Sequence, residues 1–201
     1  MDAPQLIGLA ASVSLLSGWR LYLCVFVVGL AMHFGWVPLP AHVHALDALG
    51  NWWVIGAAAI GAIAEFLADK VMWIDSAWDA VHTLVRPVGA ALLALSLVDA
   101  QDPKWQIVVL LLGGGAALLT HGAKAGTRAL VNLSPEPVSN IAVSTGEDVA
   151  TTGALALAIA SPAAAIALAV LMASAAAGVL WWLARLVRGR KSREPDRQNN
   201  A

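Results

Sequence analysis

Residues Pro4 to Trp36 are apolar for more than thirty positions, interrupted by a single formal charge, Arg20. As one straight helix the run would span about 48 Å at 1.5 Å per residue. That is well over the roughly 30 Å hydrocarbon core of a bilayer. A run of this kind asks for a membrane and for a break. Ser17-Gly18 is the expected break, making Trp19 to Trp36 the first crossing and Pro4 to Leu16 a re-entrant or interfacial half-helix. One long tilted helix is the alternative.

Composition points the same way. The 201 residues are 59% hydrophobic and 12% charged, whereas soluble domains run to roughly half apolar and a quarter charged. The expected fold class is all-α: a polytopic membrane bundle of about six transmembrane helices with a broken or re-entrant N-terminal segment. After the Pro-rich link VPLPAHVHALDALGN, further crossings are expected from Trp52 to Ala68, Trp78 to Val98, Trp105 to Ala123, Val138 to Ala160, and from Pro162 to about Leu186. DKVMWIDSA, DAQDPK and Ser161-Pro162 turn the chain between them. Residues 1–187 form one transmembrane domain, with a weak internal echo between 52–98 and 105–160. Residues 188–201 form a basic tail, disordered and cytoplasmic by the positive-inside rule. Six of the twelve basic residues fall between Arg185 and Arg197. Six crossings place both termini in the cytoplasm, and the tryptophans divide into two boundary sets, Trp36, Trp52, Trp53 and Trp105 against Trp19, Trp73, Trp78, Trp181 and Trp182.

Some functions are excluded or disfavoured at once. Cys24 is the only cysteine, so an intrachain disulfide is impossible. No basic residue precedes the first apolar run and no small-residue cleavage pattern follows it, so no removable signal is expected. The basic tail lacks the aromatic context of a nucleic-acid site. His42 and His44, with Asp47, make a poor metal site, and no cofactor is expected. Gly113-Gly114-Gly115 lacks the Lys-Ser/Thr of a phosphate loop and is read as a helix-packing surface. No nucleophile–base set stands out among the serines.

Charge inside the apolar segments is the informative feature. Arg20, Glu65, Arg86, His121, Glu147 and Asp148 lie at similar depth, and a membrane-embedded charge costs at least about 2.5 kcal/mol. They should pair or share water. Arg86 is expected to neutralise Glu147 or Asp148, and Arg20 or Lys70 to neutralise Glu65. His121, Lys124 and Arg128 follow i, i+3, i+7 spacing and share a helix face, a cationic stripe suited to phosphate, carboxylate or lipid head groups. Glu65 with Asp69, and Asp75 with Asp79, are i, i+4 carboxylate pairs suited to a hard cation or to proton transfer. Asn132, Glu136 and Asn140 continue the polar stretch, with SPEP as a stiff loop and Ser139 or Asn140 capping the next helix. His82 lies one turn beyond Trp78.

The strings GWRLYL, AEFLADKVMWIDSAWDAVHTLVRPVGAALLAL and HGAKAGTRALVNLSPEPVSNIAVSTGED resemble a bacterial membrane family catalogued as domain of unknown function 4126. The resemblance covers about Leu6 to Ala160. It implies an integral inner-membrane protein of bacteria and brings no activity or catalytic role with it.

The residues themselves suggest a small secondary transporter or channel open to the cytoplasm. Glu65, Asp69, Asp75, Asp79, Glu147 and Asp148 would bind a cation or proton, with Arg20 and Arg86 as counter-charges. His121, Lys124 and Arg128 would meet an anionic co-substrate or lipid. A non-transporting scaffold or assembly factor, and an intramembrane enzyme acting on a phospholipid or polyprenyl phosphate, are the alternatives. The expected partners are the bilayer, an anionic lipid or small ion, and a second copy of the chain in a homodimer.

Overall fold

The computed structural model describes residues 3–36, 48–98, 102–131 and 137–191. These form six helices and no strands: α1 (Ala3–His33), α2 (Trp52–Ala68), α3 (Met72–Leu97), α4 (Pro103–Val131), α5 (Pro137–Ala160) and α6 (Pro162–Lys191). The all-α expectation holds. Proline opens α4, α5 and α6, where its missing N–H costs nothing and its fixed φ suits the first turn. Asn51 caps α2, its side chain accepting from the Trp53 N–H at 2.8 Å. Several boundaries differ from the sequence reading. α3 begins at Met72, so Asp75 is helical rather than in a loop. α4 runs on to Val131, which puts Lys124 about two turns inside it instead of at its end. α5 starts at Pro137, so Ser139 and Asn140 lie within the helix and do not cap it.

The bundle is inside-out by soluble standards. Trp53, Ile60, Leu84, Val88, Leu111, Leu112 and Leu171 face outward, while Arg20, Glu65, Asp69, Asp75, Arg86, His121 and Arg128 are buried. Only a surrounding apolar solvent makes that arrangement favourable. α1, α3, α4 and α6 are long and apolar enough to cross a membrane, α2 is a shorter apolar helix, and the chain is a multi-pass membrane protein.

Helix α1 is the centre of the bundle and packs against all five others. It is not straight. Arg20 has non-helical dihedrals, φ −143° and ψ 77°, and the two arms on either side of it fold back on each other. Val13 and Leu16 of the first arm share one buried cluster with Cys24, Val28 and Ala31 of the second. The first arm begins at the α5–α6 turn, where Gly8 abuts Ile166 and Ser12 donates to the Ala165 carbonyl. The second arm ends beside the start of α2, where the His33 ring lies 4.3 Å from that of Trp52, tilted by 53°. Arg20, between them, lies at the opposite end, against the α2–α3 turn. The break is therefore three residues beyond Ser17. Gly18 instead lets α1 press onto α4, since a Cβ there would stand 2.0 Å from Thr120 Oγ1 and 2.3 Å from the Ala117 carbonyl.

The chain thus traverses the bundle twice within α1. Residue 3 and residue 191 accordingly lie at opposite ends. Gly113 and Gly114 seat α4 against Ala90, Ala94 and Pro87 of α3, the close packing read from the sequence.

Candidate functional site

Four helical faces and one turn converge around the α1 break. On α3, Asp75, Asp79, His82 and Arg86 recur every three or four residues and form one buried stripe, while Val81, Leu84 and Val88 point outward. On α4, Thr120, His121, Lys124 and Arg128 form another. α2 delivers Glu65, and its terminal turn delivers Asp69 and Lys70. α5 delivers Ser144, Glu147 and Asp148.

Two groups of contacts result. Arg86, fully buried, donates from Nη2 to Glu65 at 2.7 Å and from Nη1 to Asp79 at 2.9 Å. Its Nη1 also reaches His121 Nδ1 at 2.6 Å and the Gly18 carbonyl at 3.4 Å. A guanidinium only donates, so His121 Nδ1 accepts. His121 Nε2 then carries the proton and donates to Thr83 Oγ1 at 3.0 Å, Thr83 in turn donating to the Asp79 carbonyl. The tautomer of His121 follows from these partners.

The second group centres on Asp69. Its carboxylate meets Arg20, Lys124 at 3.1 Å and Arg128 at 3.5 Å. Burial alone would raise the Asp69 carboxyl, but Lys124 and Arg20 outweigh it and hold the group below the ordinary carboxylate range. Arg20 also pairs with Asp148 at 2.8 Å and approaches Glu147 at 3.6 Å. Lys70 bridges Asp148 at 3.1 Å and Ser144 Oγ at 2.5 Å. Arg128 links Asp75 at 3.5 Å and Glu147 at 3.8 Å. Lys124 also donates to the Trp19 carbonyl at 3.3 Å. The carbonyls of Gly18 and Trp19 close the first arm of α1, where the helix dipole is negative, and both face cations.

The expected pairings are thus exchanged. Arg86 serves Glu65 and Asp79 rather than Glu147 or Asp148, and Arg20 and Lys70 serve Asp69, Glu147 and Asp148 rather than Glu65. Depth along each helix was readable from the sequence, but which helices adjoin was not. The stripe of His121, Lys124 and Arg128 faces inward onto carboxylates, not outward toward a head group. Asn132 and Glu136, like His42, His44 and Asp47, lie outside the described residues, and Asn140 sits near the start of α5. Sequence reading passed over Ser144, Thr83 and the two α1 carbonyls, because nothing local distinguishes them. Apolar grooves open elsewhere, such as the one lined by Ile7, Ser14, Val98 and Trp105.

The sequence profile of a family described as Domain of unknown function (DUF4126) matches residues 7–185. The chain belongs to that family. No curated protein and no solved structure matches it. The matched span of this DUF4126 member takes in every residue of the two contact groups.

Proposed function

We propose that this protein is a small cation- or proton-coupled transporter of the bacterial inner membrane, with its coupling site at the break in α1. The observation that carries the reading is a helix interrupted inside the bundle at Arg20, with its freed carbonyls and its side chain engaged in a charge network. Transporter sites are commonly built on discontinuous helices whose ends meet ions. A buried charge network is also expensive to keep in a membrane for packing alone. The charged end faces the cytoplasm in this reading, because α6 ends there with Arg185 and Arg188.

One opening to the site is suggested by the packing. α2 and α5 both rest on α1 but scarcely touch each other, and Lys70 with Asp148 bridges them as the network's most exposed ion pair. The test uses purified protein in liposomes loaded with a pH-sensitive dye. An imposed cation or solute gradient should move protons above the protein-free rate, and Asp148→Asn should reduce that flux. Absence of any coupled flux, with the protein folded and inserted, ends the transport reading. A scaffold is the second reading, favoured by the sealed Arg86–Glu65–Asp79 group. It requires that variants there lower stability while no flux exists to lose.

A further inference from the structure

We propose that the chain binds a proton at Glu65, within a carboxylate pair that shares the single guanidinium of Arg86 with Asp79. The inference deepens the coupling-site reading by naming the ion, and it rests on that reading only for its purpose, not for its chemistry.

Three observations carry it. The first is charge balance. Among the described residues the network joins six carboxylates, Glu65, Asp69, Asp75, Asp79, Glu147 and Asp148, to five cations, Arg20, Lys70, Arg86, Lys124 and Arg128. With both histidines neutral, one negative charge is in excess. The second is where the excess lies. Asp69 has three cations within 3.5 Å. Glu65 has Arg86 as its one ion-pair partner within 4.0 Å among the described residues, with Arg20 facing it from farther off, and Arg86 is divided with Asp79, whose other cation, Lys124, is 4.0 Å away.

The third is an orphaned atom. Glu65 is 1% exposed, Oε1 takes the Arg86 bond, and Oε2 has no hydrogen-bond partner. A buried carboxylate oxygen left bare is costly, and a proton on it removes the charge. Protonation here forms one O–H bond and turns the carboxylate into a carboxylic acid, the proton coming from water at the charged end.

The neighbours narrow the choice. His121 cannot take the proton in this arrangement, because Nδ1 already accepts from Arg86 and a second proton would set two donors 2.6 Å apart. His82 bonds the Trp78 carbonyl through Nδ1 and Tyr22 through Nε2, so its ring is already matched as a neutral group. The other groups facing Glu65 are Arg20, Tyr22 and Cys24 from α1 and Asp79 from α3. No three His, Cys, Asp or Glu side chains among the described residues are arranged to hold a metal ion.

Infrared difference spectroscopy of the full chain in lipid bilayers, titrated from alkaline to acid pH, tests this directly. A carbonyl-stretch band of a protonated carboxylic acid should rise in the wild type. Glu65→Gln should abolish it. Glu65→Asp, which keeps an acid in place, should retain it at a shifted frequency. Asp79→Asn removes the competing charge, so at a fixed acid pH the band should be weaker than in the wild type. Lack of the band in the wild type, or its survival unchanged in Glu65→Gln, overturns the proposal. If Glu65→Gln does not fold, the wild-type band and the Glu65→Asp shift decide alone. The band without flux would sink transport and leave this site standing; flux without the band would do the reverse.

Discussion

Replacing Arg86 is the sharpest test of how the buried charges are matched. Arg86→Gln removes one guanidinium that is 0% exposed and leaves Glu65 and Asp79, 1% and 5% exposed, facing each other. Removing one partner of a buried pair costs roughly 3–5 kcal/mol, mostly because the other charge stays behind. For a chain of this size that corresponds to a melting temperature about 6–20 °C lower. The double variant Glu65→Gln/Arg86→Gln removes one of the two carboxylates left behind and should recover part of the loss, with a coupling energy of about 1–3 kcal/mol across the cycle. Tryptophan fluorescence in detergent follows the unfolding. A single variant that melts within about 2 °C of wild type, or a double variant that melts lower than the sum of its singles, refutes the pairing.

Four further outcomes follow from other parts of the bundle. Gly18→Val should destabilise by about 1–3 kcal/mol through overpacking, and Thr120→Ala should not rescue it, because the Ala117 carbonyl still blocks the site; thermal melts compare the two. Lys70→Ala should cost under about 1 kcal/mol, since its pair with Asp148 is about one-fifth exposed, while speeding maleimide labelling of a cysteine placed at Ser144. Stability that depends on Asp69 should hold from neutral pH down to about pH 4. It should be lost below that as the depressed carboxyl finally protonates, and Asp69→Asn should flatten this acid limb. On a Cys24→Ser background, cysteines placed at Gln5 and at Arg188 should react with impermeant maleimide from opposite sides of a sealed vesicle; reaction from one side would undo the fold-back of α1.

Much of the architecture was legible because apolar run length and proline placement act locally. The Trp52–Ala68 helix needs nothing beyond its own residues, and Pro137 and Pro162 announce their helix starts. The site was legible only as a set. Charges at one depth in an apolar medium must gather, so Arg20, Glu65, Arg86 and Asp148 could be grouped from spacing. Their partners depend on which helices adjoin, and that is decided by contacts as distant as Gly18 on Thr120 or Gly113 on Ala94. The break was misplaced for a similar reason. Ser17-Gly18 is the weak point of the isolated helix, but Arg20 bends the chain because its partners, Asp69 and Asp148, come from elsewhere.

The central position of α1 also sets the order in which the protein can be completed. Its first arm rests on Ile166 and Ala165, more than 150 residues later in the chain. Those residues do not exist when α1 leaves the ribosome. Arg20 likewise waits for Asp69, and then for Asp148, before its charge is answered. α1 is therefore made before the helices that enclose it, and a nascent chain ending before α6 should keep the first arm of α1 accessible to protease. Biogenesis of this bundle runs from the outside inward, with the keystone delivered first and seated last.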